Sequence, residues 1–104
     1  MNTRVVPAVV VLNQNSVIVG RKITNIFATA KLYGLASRTH DTDISFSDFG
    51  ETVRELFAAG TPIIGICAAG ILIRTISPIL NDKGQEPPLL AVAEDGSAVV
   101  PLLG

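Results

Sequence analysis

The stretch PIIGICAAGILIRTISPIL, residues 62–80, decides the fold class. It is apolar and almost long enough to cross a bilayer, which takes about 20 residues. Arg74 stands inside it, however, and a charge at the centre of a membrane helix costs on the order of 2.5–3.5 kcal/mol even on lenient insertion scales. Gly65, Gly70, Thr75, Ser77 and Pro78 interrupt the run further. Read instead as a folded segment, it divides at Ala68-Ala69-Gly70. Residues 62–67 (PIIGIC) form a short, continuous apolar run, the pattern of a strand buried on both faces, and such strands belong to parallel sheets. Beyond the small residues, Leu72, Ile76, Ile79 and Leu80 share one helix face, with Pro78 set to kink or shorten the helix. A buried strand that turns through small residues into a helix is the unit from which α/β domains are built.

The same unit recurs on the amino-terminal side. Residues 8–12 (AVVVL) are a β-branched run between Pro7 and Asn13-Gln14-Asn15. The period then changes: Val19, Ile23, Ile26, Phe27 and Ala30 form one helical stripe, with Arg21, Lys22 and Asn25 off it and Asn15 or Ser16 able to cap the start. Residues 31–35 (KLYGL) read as a short second strand, residues 36–42 (ASRTHDT) as a polar turn, and residues 43–46 as either strand or loop. Asp48 and Glu51 have capping-box spacing ahead of Phe49, Val53, Leu56 and Phe57, and Gly60 supplies a stop. On the carboxyl-terminal side, residues 81–88 (NDKGQEPP) are loop by composition. Residues 89–93 and 98–103 are strands joined by a tight turn at Glu94-Asp95-Gly96, which predicts an antiparallel pair. The expectation is therefore an α/β domain, Rossmann-like and three-layered, with a mainly parallel sheet flanked by helices and a carboxyl-terminal hairpin.

Composition agrees with one domain: 104 residues, 48% hydrophobic and 16% charged. A core of this size buries roughly two-thirds of the unfolded chain's surface without staples. A single Cys allows no internal disulfide, and eight basic against nine acidic residues leave a net charge of -1 without a basic block. Nucleic acid is an unexpected partner on that balance. Arg4 and the VVPAVVVL that follows have the length of a secretory core, but Asn13 to Asn15 stand where a small-residue cleavage site belongs. A cytoplasmic protein with no membrane association is the expectation.

In open α/β sheets, ligands bind beyond the carboxyl ends of the strands, which directs attention to Asn13–Ser16, Ala68–Gly70 and Glu94–Gly96. Ala68, Ala69 and Gly70 would leave the N–H groups of a helix start open to a carboxylate or phosphate; equally, they are small enough to let the helix pack tightly on its strand. No G-x-G-x-x-G or G-x-x-x-x-G-K-[ST] occurs, so nucleotide cofactors have no motif support. Cys67 ends a strand where a nucleophile would face the crevice, although a cysteine between Ile and Ala is usually core. His40, beside Asp41 and Asp43 in a polar loop, reads as solvated, and no three ligands have metal-site spacing. Glu94 and Asp95 are an adjacent carboxylate pair suited to acid or base work, while Asp95-Gly96 is also ordinary turn composition. Arg74 is a cation on an apolar helix, free to contact substrate or to snorkel to water. Asp82 and Lys83 can hold a polar substrate or form a surface pair.

From residue 62 onward the wording is more specific than its spacing. GICAAGILIRTISPILNDK followed by EPPLLAVAEDGSAVVPLLG resembles the amino-terminal domain of the cobalamin biosynthesis protein CbiG family. The shared elements are Cys67 to Gly70, Arg74, Asp82-Lys83, the turn Glu94 to Gly96, and Pro101 to Leu103; the first sixty residues match only in element order and in the AVVVL strand. The resemblance implies corrinoid biosynthesis, in which such proteins open the lactone of cobalt-precorrin 5A with water and release acetaldehyde. It implies a corrinoid or precorrin intermediate as ligand, whose acetate and propionate arms would suit the helix-start N–H groups at Ala68, Ala69 and Gly70 with Arg74 and Lys83 in reach; Gly96 is a further binding candidate, and Glu94 and Asp95 are the candidates for water activation. No cofactor or resident metal is expected; cobalt arrives only within the corrinoid substrate. The partners implied are the remaining domains of a parent protein, or, in a rival arrangement, a fused precorrin-3B methyltransferase for which this module is a noncatalytic corrinoid-binding or scaffolding piece. In the family the Pro-Leu-Leu-Gly strand runs on into a glycine-rich segment bearing a histidine. Its absence from residues 1–104 leads to the expectation of an incomplete domain that is inactive alone.

Overall fold

The structure is a computed structural model and describes residues 6–80 and 86–104. The element order is β1 (Ala8–Val11), α1 (Asn15–Ile26), β2 (Lys31–Leu35), β3 (Ile44–Phe46), α2 (Phe49–Ala58), β4 (Ile63–Ile66), α3 (Ala69–Ile76), a 3-10 turn (Ser77–Ile79), β5 (Leu89–Val92) and β6 (Val99–Leu103). These strands form one sheet in the order β3-β2-β1-β4-β5-β6. All neighbours are parallel except β5 and β6, which are antiparallel. The mainly parallel α/β sandwich with its terminal hairpin is thus the architecture the sequence implied. The ambiguous residues 43–46 resolve as strand, pairing Tyr33 with Ile44 on the outer side of β2.

The sheet's inner strands are apolar on both faces because helices cover both. On one face α2 and α3 pack over Val10, Ile63, Leu89 and Ala91, burying Val53, Phe57, Leu72 and Ile76. On the other, α1 lies over Val9, Val11, Leu32, Ile66 and Val92. α2 is capped as its sequence predicts: Asp48 Oδ1 accepts the Glu51 N–H at 2.9 Å. At its end Gly60 takes φ +83°. The N–H groups of Gly60 and Thr61 return to the carbonyls of Phe57 and Leu56, which together satisfy the last turn. α3 stops at Ile76, and Pro78 falls within the 3-10 turn that follows it.

α1 departs from the sequence reading. Its fully buried face is Ser16, Val17, Gly20 and Thr24; of the expected stripe, Ala30 beyond the helix is buried and Val19 and Ile23 are partly buried against the same core, while Ile26 and Phe27 are not. Ile26 is 75% exposed and Phe27, just past the helix, 47% exposed. The physical reason is close approach. A Cβ on Gly20 would stand 2.6 Å from Leu32 Cδ1, so the helix rides low over β1 and β2 on small residues, and its larger apolar residues flank the contact. Neither Asn15 nor Ser16 caps the helix; both are inside it, and the acceptor is the side chain of Asn13.

Candidate functional site

At the carboxyl edge of the sheet the chain leaves β1 through Asn13, β4 through Cys67-Ala68 and β5 through Ala93-Glu94. β1 and β4 are neighbours, yet their following helices go to opposite faces, which makes the gap between their ends the topological switch point where α/β sheets bind ligands.

Two of the predicted site residues, Ala68 and Ala69, meet beside this point. Cys67, Ala68 and Ala69 line a shallow apolar pocket of about 220 Å³ with Ala91, Val92, Ala93, Ala98 and Val100. Its floor is open because nearly every lining residue is Ala or Val. No side chain caps the start of α3 at Ala68. Arg74, one turn along, folds back over that start: Nη1 lies 3.2 Å from where a Cβ on Gly70 would stand. Arg74 is exposed and has no ion-pair partner among the described residues. Arg74 stands in the last turn of this eight-residue helix, and its guanidinium reaches back along it, so the open helix start and this cation lie on the same side of the site.

The carboxylate pair is divided by the structure. Glu94 reaches toward the switch point, where its Oε2 accepts the Asn13 Nδ2–H at 2.8 Å. Asp95 serves its own turn: Oδ1 accepts the Ser97 N–H at 2.9 Å. The Ser97 side chain and backbone hold its carboxyl below the usual carboxylate range. Gly96, at φ +77°, completes this turn in a conformation that side chains rarely adopt. Asp95 and Gly96 also border a second pocket of about 270 Å³ beneath α1, lined by Val19, Lys22, Ile23, Val92 and Val99. Lys83 and its neighbour Asp82 lie outside the described residues.

Cys67 is buried, and burial first, then the negative charge of Glu94, push its thiol up to about 11. It is a neutral thiol at ordinary pH, which leaves it a core residue rather than a nucleophile. His40 is exposed; its Nδ1 lies 2.9 Å from Asp41 Oδ2, as suits a solvated loop histidine. Its backbone N–H donates to Gln14 Oε1, tying this loop to the end of β1. Among the described residues no three His, Cys, Asp or Glu side chains are grouped to hold a metal ion. Among the same residues no helix is long and apolar enough to cross a membrane.

Residues 51–104, from α2 to the end of β6, match the family model described as cobalamin synthesis G N-terminal. The chain belongs to this family. It is 38% identical over 55 residues to a cobalt-precorrin-5A hydrolase of Salmonella typhimurium, covering 53% of this chain and 16% of that protein. It is 26% identical over 102 residues to the cobalt-precorrin-5A hydrolase of Priestia megaterium, covering 92% of this chain and 27% of that one. The chain therefore spans about a quarter or less of these relatives. The crystal structure of a cobalamin biosynthesis protein G homologue from Sulfolobus solfataricus superposes with a TM-score of 0.67 at 16% identity, over 95% of this chain and 29% of that one. That likeness extends the shared fold across β1, α1, β2 and β3, which the family model does not reach. A role in cobalamin biosynthesis follows from the family.

Asn13 is the residue that sequence reasoning placed near the site without giving it a task. Its partner lies 81 positions away, and only the strand order brings the two together.

Proposed function

We propose that this chain is the amino-terminal part of a cobalt-precorrin 5A hydrolase, with Glu94 as the base that activates water and the start of α3 as a binding point for substrate carboxylates. The observation that carries the reading is the position of Glu94 at the carboxyl edge, bonded to the end of β1 through one oxygen while Oε1 carries no bond among the described residues. Glu94 takes a proton from water as the water oxygen bonds to the lactone carbonyl carbon. The lactone C–O bond then breaks, leaving a carboxylate and an alcohol on the two-carbon fragment. That alcohol loses its proton as its carbon–carbon bond to the macrocycle breaks, the electron pair passes to the conjugated ring, which takes up a proton, and the fragment departs as acetaldehyde.

The substrate's acetate and propionate arms suit the uncapped N–H groups at Ala68–Gly70 and the guanidinium of Arg74, with Lys83 as a further cation. Asp95, engaged with Ser97, keeps the turn that presents Glu94. Cobalt enters within the substrate, and the rest of the site comes from the parent protein's other domains. Both named relatives are hydrolases, which favours this reading over a scaffolding module fused to a methyltransferase. In a full-length hydrolase carrying these residues, Glu94→Gln is expected to lower acetaldehyde release by about 10²- to 10⁴-fold, the usual contribution of a positioned base. Unchanged turnover in Glu94→Gln removes Glu94 from the mechanism, whatever Asp95→Asn does.

A further inference from the structure

We propose that Asn13 is the positioning residue for Glu94, fixing which carboxylate oxygen is held and which is left to meet water. This role rests on the reading of Glu94 as the base. The orientation of the Asn13 amide is dictated by its other partner. Oδ1 accepts the Ser16 N–H at 3.0 Å, and a carbonyl oxygen is the only end of the amide able to do so. The NH2 group must then face away from α1, where it donates to Glu94 Oε2 at 2.8 Å. One side chain thus joins the start of α1 to the β5–β6 turn across the switch point.

Glu94 needs such a tether. It is exposed, on a turn whose own bonds, Ala93 N–H to the Ala98 carbonyl, Gly96 N–H to the Ala93 carbonyl and Ser97 N–H to Asp95 Oδ1, fix the backbone but not the Glu94 side chain. A free glutamate there would sample many rotamers, few of them over the switch point. The tether is also of the right chemical kind. A neutral amide orients the carboxylate without cancelling its charge, whereas a lysine or arginine in the same place would oppose proton uptake. With Oε2 occupied, Oε1 is the oxygen available to water.

Two substitutions separate this role from simple support of the helix. Asn13→Asp keeps an oxygen for the Ser16 N–H but withdraws the donor from Glu94. Asn13→Ser keeps a short capping hydroxyl and adds no charge. In a full-length hydrolase carrying these residues, both are expected to lower kcat by about 10- to 100-fold with KM changed less than about threefold. In the Glu94→Gln background neither is expected to lower turnover further. If kcat stays within about twofold in both variants while Glu94→Gln is inactive, or if only KM rises, the positioning role is overturned and the reading of Glu94 stands. If Glu94→Gln turns over normally, the reading of Glu94 fails and the role of Asn13 fails with it. The link itself is read in the 104-residue chain by the Asn13 side-chain amide resonances, which are expected to move in Glu94→Gln; unchanged resonances overturn the proposal whatever the kinetics.

Discussion

The two faces of the sheet are covered by different physics. Under α2 and α3 the contact is made by large aliphatic and aromatic side chains, with Val53, Leu72 and Ile63 fully out of solvent. Under α1 the closest contact is made by Ser16, Val17, Gly20 and Thr24, flanked by the partly buried Val19 and Ile23, and part of the attachment is polar. Arg21 Nη1 bonds both carboxylate oxygens of Asp43 at 3.1 Å, and its Nη2 bonds the Asp41 carbonyl at 2.8 Å. Asp43 in turn accepts the Leu32 N–H at 2.8 Å. Among the described residues, the buried Ser16 hydroxyl has no hydrogen-bond partner, a cost that the other face does not carry. An apolar stripe therefore identifies a helix more reliably than it identifies the face that helix buries. Where the backbone must come close, small residues make the contact.

The comparison predicts unequal responses to substitution. Leu72→Ala, which empties the space above Gly65, is expected to cost about 3 kcal/mol in denaturant unfolding, as large-to-small changes in closed cores do. Gly20→Val should cost about 2 kcal/mol by forcing α1 away from Leu32 and Val11; a neutral result would mean that the helix is not held low. The polar attachment adds a pH signature. The Leu32 N–H, then Arg21, hold the Asp43 carboxyl below its ordinary value of 3.8. A carboxyl depressed on folding contributes stability above the unfolded value and loses it as pH falls through the folded one. The stability gap between wild type and Asp43→Asn is therefore expected to be full at pH 7 and to shrink as pH falls below about 4, and a gap that does not shrink with acid, or that widens, would contradict the assignment. Smallest of all, Ile26→Ser should change stability by less than about 0.5 kcal/mol, although the sequence pattern places Ile26 on the buried stripe.

What could be read from the sequence follows the same division. The strand-turn-helix at residues 62–76 was legible because β4 is buried on both sides and α3 buries the face its periodicity marks. Asp48 and Gly60 announced the ends of α2 because caps are local chemistry. The α1 face was not legible, since Gly20 gives no sign of which strand it will approach. Within the candidate site, Ala68–Gly70 and Glu94 stood out through position and residue type. The separation of Glu94 from Asp95 was hidden, because adjacent carboxylates look equivalent until the turn sends one to Asn13 and the other to Ser97. Arg74's return over Gly70 follows from ordinary helical spacing, yet its meaning depends on the uncapped start beneath it.

The central claim is that ligand is met at the carboxyl edge over β1, β4 and β5. It is tested most directly by titrating the isotope-labelled 104-residue chain with a cobalt corrinoid bearing free acetate and propionate arms and mapping the amide resonances that move. The account predicts movement at Asn13–Ser16, Ala68–Arg74 and Ala93–Gly96, weakened by Arg74→Ala. Movement confined to the opposite edge of the sheet, or no movement at saturating corrinoid, would contradict it.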